Sequence, residues 1–260
     1  MNGIFVAGDE VLLRVSRPTA PPQHAISLAR ALTKLGLRVP EYVREEPFIT
    51  DEHAVFAVAS IEDSGPVDWR AVGEMVARLH SVDRGELPLG YPTPFCGDFP
   101  WWDFASLMRE VGDHLDPASR AAMDTAVERG VPLLRGQRNR RSVVCHGDIH
   151  PGNVMQSAQG PVLLDWDLLC LGPTAWDHAP LMTWTHRWGG KPGIYEDLAE
   201  GLGTSMRGDP LAEAIAELRL VAATLMRVRA AQSNPTAAGE AELRLRYWRG
   251  EPDAPQWHAQ

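Results

Sequence analysis

Three observations predict an α+β chain with a small strand-rich front lobe and a large helical back lobe. Residues 3–7 and 11–15 are short apolar runs around Ala7-Gly8-Asp9-Glu10, a hairpin signal, and residues 55–60 are a third run of strand character. A second hairpin is expected where Val154-Met155 and Val162-Leu163-Leu164 flank Ser157-Ala158-Gln159-Gly160. Beyond Asp165 only helical patterns remain, over 176–187, 194–206, 210–231 and 236–248.

The other elements follow in order. Pro21-Pro22 opens a helix that runs to Leu35 and is ended by Gly36. Residues 67–79 form a second helix, with Val72, Met75, Val76 and Leu79 on one face. The lobe boundary is expected near 61–65, which divides the chain into a nucleotide-covering lobe at 1–62 and a catalytic and substrate-binding lobe at 63–260. Residues 83–100 hold four prolines and several glycines and read as an irregular connection. Asp116-Pro117 is an N-cap followed by proline at the first helical position, and a helix follows to about Leu134. Residues 142–145 read as a buried strand, and 146–153 as a loop.

Composition bounds the function. With 260 residues, 44% of them hydrophobic, the chain can bury a sizeable core. Its three cysteines, Cys96, Cys145 and Cys170, are too few and scattered for a disulfide framework, which points to a reducing cytoplasm. Asp9 and Glu10 break any signal-peptide pattern, and no stretch has the length of an apolar membrane span, so no membrane partner is expected. The net charge of −9 argues against nucleic-acid binding and is compatible with a cationic substrate. Composition leaves the oligomeric state open.

The chemistry concentrates in Val143-Val144-Cys145-His146-Gly147-Asp148-Ile149-His150-Pro151-Gly152-Asn153 and Val162-Leu163-Leu164-Asp165-Trp166-Asp167. Phosphoryl transfer from a nucleotide needs a loop Asp to take the proton of the attacking hydroxyl, and an Asn and a second Asp to hold magnesium. Magnesium takes hard oxygen ligands and usually only one or two protein carboxylates. The hairpin between Asn153 and Asp165 would return Asp165 to the loop. An alternative reading makes His146, Asp148 and His150 a zinc-hydrolase cluster.

His-Gly-Asp, four residues, Asn, and an apolar run ending in Asp resemble the core of the aminoglycoside phosphotransferase family, small-molecule kinases with a two-lobed protein-kinase-like fold. The resemblance implies that Asp148 is the catalytic base, that Asn153 and Asp165 bind Mg2+, and that ATP or GTP is the donor. Asp177 matches a family acidic position, read here as capping a helix or tying down the loop. Ala77-Arg78-Leu79-His80 is similar to the helix end after the hinge, with His80 expected to be a packed, hydrogen-bonded residue. Leu37-Arg38-Val39-Pro40 is similar to the exit from the first helix.

Two departures stand out. Kinases of this fold place a Lys on a front-lobe strand and pair it with a helix Glu. Here Lys34 and Lys191, the only lysines, lie elsewhere, and residues 22–36 contain no acid. Strand alternation sets Arg14 on the face opposite Val11, Leu13 and Val15, where a guanidinium could bind the nucleotide phosphates bidentately. The alternatives are that Arg14 is a surface residue and that Arg17 makes the contact. The Gly-rich phosphate loop is also missing, so the front lobe is expected to be truncated or to begin upstream.

The acceptor candidates are Asp98, Trp101, Trp102 and Asp103, then Trp184, His186, Arg187, Trp188 and Tyr195. Three functions remain open from sequence. One is a kinase of an aminoglycoside or other cationic antibiotic. Another is a kinase of a sugar, amino sugar or amino alcohol. The third is a weak or inactive kinase fold with a binding or regulatory role.

Overall fold

Period-two alternation near the N-terminus builds an antiparallel sheet in the computed structural model, which describes residues 3–8, 10–17, 21–50 and 52–258. Asp9, at the tip of the expected first hairpin, lies outside the described residues. Strands β1 (Gly3–Val6) and β2 (Val11–Ser16) pair with Ile4 opposite Arg14. Two further strands, β3 (Phe48–Ile49) and β4 (Ala54–Ala59), complete a sheet of order β1-β2-β4-β3. β3 was not expected, because two residues carry no periodicity. Ala54, Phe56 and Val58 of β4 are buried against Ile26 of helix α1 (Pro22–Lys34), forming a small core of their own. Arg14 lies opposite Phe56, so it shares the sheet face that looks toward α1. The other face keeps Phe5 and Phe48 exposed. α1 stops where Gly36 takes a φ of 81°, a conformation glycine adopts without strain.

After α1, the chain at 37–40 is tied to the back lobe. Arg38 Nε donates to Pro161 O at 2.9 Å, and Leu163 N donates to Arg38 O at 3.0 Å. Helix α2 (Trp69–His80) begins later than expected because Asp68 caps it, accepting from Ala71 N at 3.0 Å. Three 3-10 turns punctuate the segment 83–103, consistent with its irregular reading. Helices α3 (Phe104–Val111) and α4 (Pro117–Arg135) follow, each N-capped by an aspartate.

The back lobe carries two small antiparallel pairs. β5 (Val143–Cys145) pairs with β8 (Cys170–Gly172), and β6 (Val154–Ser157) pairs with β7 (Gly160–Leu163). β8 was not expected, since only helical patterns were read beyond Asp165 and none of them covered it. The helix expected over 176–187 is instead α5 (Ala175–Met182) and the short α6 (Trp184–Arg187). Pro180 lies in the last turn of α5 and has no N–H for the turn before it. α7 (Ile194–Leu202) ends four residues early because Gly203 is left-handed, with φ 81°. α8 (Pro210–Ser233) and α9 (Ala238–Trp248) close the lobe.

The main core gathers α2, α4, α5, α7 and α8. Glycines set the crossing of α2 and α7: a Cβ on Gly73 would stand 2.1 Å from Leu198 O, and one on Gly201 2.0 Å from Arg70 O. α8 runs through the middle, with Ile215, Leu218, Val221 and Leu225 fully buried.

The core also buries His178, whose Nδ1 lies 3.2 Å from the Tyr195 hydroxyl. Burial, with His80 adding to it, lowers its pKa from 6.5 to about 4. The folded chain therefore refuses a proton that the unfolded chain accepts. This contribution to stability is complete above about 6.5 and lost as pH falls toward 4. Urea titrations should show unfolding free energy declining across that window, and His178→Phe should flatten the decline.

Candidate active site

The loop after β5 is suspended from one carboxylate. Asp177, at the start of α5, is fully buried and accepts from Gly147 N at 2.8 Å and His146 N at 3.0 Å. His80 Nε2, at the end of α2, lies 3.0 Å from the same carboxylate. Burial pushes the Asp177 carboxyl up, but the His80 bond and the loop amides outweigh it and hold the pKa below the ordinary value. Gly147 has no substitute here, since its φ is 95° and a Cβ would meet Leu168 O at 2.2 Å.

His146 is fully occupied. Its Nε2 lies 2.8 Å from Leu164 O, which can only accept, and Asp148 N donates to its Nδ1 at 3.3 Å. The ring is thereby fixed as the neutral Nε2–H tautomer, and burial lowers its pKa. No lone pair is left for a metal, so His146 cannot join a zinc site with Asp148 and His150.

Asp148 is half-buried and crowded with donors. Arg219 of α8 binds one oxygen, and donates from its other nitrogen to Gly147 O at 3.0 Å. His150 Nε2 stands 3.3 Å from the second oxygen. Burial pushes this carboxyl up, but the His150 bond and the Arg219 charge hold it well below the usual range. Asp148 is thus ionised at neutral pH. Asn153 Nδ2 donates to Asp148 O at 2.9 Å and to its carboxylate at 3.3 Å. The Asn153 Oδ1 then has no hydrogen bond among the described residues.

Asp165 follows β7 with φ 53° and ψ 69°, the one left-handed non-glycine among the described residues. Its Oδ1 accepts from Arg14 Nη2 at 3.0 Å, and Asp167 Oδ2 accepts from the same nitrogen at 2.5 Å. Burial and the neighbouring Asp167 raise the Asp165 pKa, with Arg14 opposing them. Arg14 thus faces inward, whereas Arg17 pairs with Glu52 on the surface at 3.0 Å.

Two cavities meet at this loop. The first, about 330 Å³, lies between the front sheet and the β6–β7 hairpin. Leu12, Val58, Ile61 and Met155 give it apolar walls, and Arg14, Asn153, Asp165 and Asp167 form its polar end. The second, about 400 Å³, has Asp148 at its edge, Trp184 and Trp188 on one wall and α8 on another. Asn153 lines one cavity and Asp148 the other, and the hydrogen bonds between them join the two.

The residues proposed for the acceptor separate. Trp184 and Trp188 reach the second cavity, and His150, Trp184 and Trp188 stack in series with centroids 5.2 and 5.6 Å apart. Asp98 pairs with Arg138, Asp103 caps α3, Trp101 stacks on Phe99, and Trp102 and Tyr195 are core. His186 and Arg187 line neither cavity. Two contributors were not anticipated. Asp167 was visible as the second acid of Asp165-Trp166-Asp167. Arg219 had no local signal, since it meets Asp148 from 71 residues away.

A model of the phosphotransferase enzyme family matches residues 5–212. Among solved structures, spectinomycin phosphotransferase with ADP and spectinomycin is 15% identical, with a TM-score of 0.65 over 97% of this chain and 89% of that one. The GDP complex of wild-type aminoglycoside 2'-phosphotransferase-IIIa is 14% identical, with a TM-score of 0.69 over 96% and 89%. A choline/ethanolamine kinase family protein from Mesorhizobium loti is 16% identical, with a TM-score of 0.67 over 98% and 86%. These likenesses show a shared two-lobed, protein-kinase-like α+β fold. No curated protein sequence matches the chain.

The loop's suspension has a measurable cost of removal. Asp177→Ala should strand two buried amides and lower unfolding free energy by about 3–5 kcal/mol. Chemical denaturation measures it, and a loss below about 1 kcal/mol would contradict the arrangement.

Proposed function

The chain belongs to the phosphotransferase enzyme family, and from that membership we propose that it moves the γ-phosphoryl group of ATP or GTP onto a hydroxyl of a small molecule. The observation that carries this reading is the junction of the two cavities at Asp148 and Asn153. The nucleotide takes the first cavity, with its base among the apolar walls and its phosphates toward Arg14. The acceptor takes the second. Residues 1–62 then act as the nucleotide-covering lobe and 63–260 as the catalytic lobe. Buried free thiols at Cys96, Cys145 and Cys170 suit a reducing cytoplasm, and among the described residues no helix is long and apolar enough to cross a membrane.

The donor set at the polar end fits magnesium. Asn153 turns its amide N–H groups toward Asp148 and leaves Oδ1 for a cation, and Asp165 adds a carboxylate. Both are hard oxygen donors, and few protein ligands suit an ion that keeps water and phosphate. Bound there, Mg2+ would offset phosphate charge in the transition state.

The chain's own residues supply the rest. Asp148 accepts the proton of the acceptor hydroxyl as that oxygen bonds to the γ-phosphorus. The bond to the β,γ-bridging oxygen breaks, and the nucleoside diphosphate leaves with the electron pair. Arg14 needs no helix glutamate, because Asp165 and Asp167 already orient it.

A screen of ATP and GTP consumption with magnesium, run across antibiotics, sugars, amino sugars and amino alcohols, tests the reading. No turnover and no nucleotide binding would leave a kinase fold in a binding or regulatory role. With an acceptor in hand, Asp148→Asn should keep nucleotide binding and lower turnover by about 10²- to 10⁴-fold. Unchanged turnover would remove Asp148 from the role of base.

Arg14 has a separate signature. Arg14→Ala should weaken nucleotide binding by about tenfold while strengthening nucleotide-free Mg2+ binding, since it leaves two carboxylates unopposed. Arg14→Lys should restore the nucleotide only in part, because an ammonium lacks the planar fork. Calorimetric titration reads both, and wild-type nucleotide affinity in Arg14→Ala would exclude a phosphate contact.

A further inference from the structure

The charged groups around the second cavity already hold partners. Arg219 binds one oxygen of Asp148, and His150 and Asn153 approach the other. Arg244 lies 2.8 Å from Glu240, with both side chains buried. Arg227 is engaged as well. An ammonium or an acid entering the cavity would compete for these groups, and separating a buried pair is costly.

The aromatic wall offers a cation little more. Trp184 stacks with both His150 and Trp188, at interplanar angles of 11° and 18°. The Arg244 guanidinium lies 4.9 Å from the Trp188 ring centroid. Ring faces that already hold a neighbour have less to offer an ammonium group.

What remains is apolar surface, and it has a direction. Leu220, Ala223, Met226 and Ala230 of α8 line the cavity at helical spacing, so they form one stripe. From 220 to 230 the stripe extends about 15 Å, at 1.5 Å per residue. It starts beside Arg219, which grips Asp148, and runs away from that carboxylate. Trp184 and Trp188 line the same cavity of about 400 Å³. Such walls favour a ligand in proportion to the apolar area it withdraws from water.

Resting on the kinase reading for Asp148, we infer that the acceptor is an amphipathic alcohol, with an uncharged apolar body longer than a single sugar ring. Its hydroxyl meets Asp148, and its body lies along the α8 stripe. Binding then displaces water and leaves the Arg219–Asp148 and Arg244–Glu240 pairs intact.

Calorimetry with graded ligands tests this. Methyl and hexyl β-glucosides, and the 1-O-methyl and 1-O-hexyl ethers of glycerol, are titrated into the full chain. Glucosamine and glucuronic acid serve as charged counterparts. On at least one skeleton, the hexyl compound should bind about tenfold or more tighter than the methyl compound, and tighter than either charged sugar. Met226 lines the second cavity and not the first. Met226→Glu should therefore abolish the hexyl gain, and the nearly isosteric Met226→Gln should reduce it severalfold. Thermal unfolding checks that both variants fold. Equal binding of methyl and hexyl compounds, tighter binding of a charged sugar, binding of none, or a hexyl gain that survives in both variants would overturn the inference. Phosphate transfer to glucosamine in preference to the hexyl compounds would overturn it and keep the kinase reading. A hexyl gain that the Met226 variants remove, in a chain that neither binds ATP nor transfers phosphate, would keep the amphipathic ligand and overturn the kinase reading instead.

Discussion

The Asp177 carboxylate fixes the geometry on which everything else in the site rests. It joins the end of α2, the start of α5 and the first two amides of the loop after β5. A buried charge is tolerable only when hydrogen bonds replace its lost hydration, and three donors do so here. With the loop fixed at His146 and Gly147, the ring of His146 reaches Leu164 O and ties the loop to the end of β7. Asp148, Asn153 and Asp165 are therefore positioned by backbone and ring contacts rather than by one another's charges. This arrangement brings three oxygen-bearing side chains together, with Arg14 and Arg219 opposing the charge of the two carboxylates.

Arginines then balance what the backbone has assembled. Arg14 bridges Asp165 and Asp167 on the front side, and Arg219 holds Asp148 on the other. Each is a planar fork able to serve more than one oxygen, which an ammonium does with less geometric control. The chain's near-exclusive use of arginine becomes a structural matter at these two points, whatever its origin elsewhere.

Much of this was legible because the motif is local. Asp148, Asn153 and Asp165 sit within eighteen residues, and the hairpin between them is encoded by alternation and by Gly160. Long amphipathic or capped helices such as α1, α4 and α8 announced themselves by Pro, Asp and Gly at their ends. Short strands did not: β3 and β8 are too brief to show a period and exist because a partner strand is there to pair with. The break between α5 and α6 required reading Pro180 as an ending within an otherwise apolar helical pattern. Arg219 was invisible for a different reason. An arginine on an amphipathic helix looks like any solvated residue until the fold brings it to an aspartate distant in sequence. The acceptor residues mixed poorly for the same reason, since a tryptophan in the core and one at a cavity wall are identical in a string of letters.

Asp165 shows how the site and the fold make opposing demands. Its left-handed backbone costs an L-residue about 1 kcal/mol, somewhat less for aspartate than for most, and glycine would adopt it freely. Glycine there would also remove a carboxylate held close to Asp167. Asp165→Gly would thus relax the backbone at this position and leave the Arg14 guanidinium paired with Asp167.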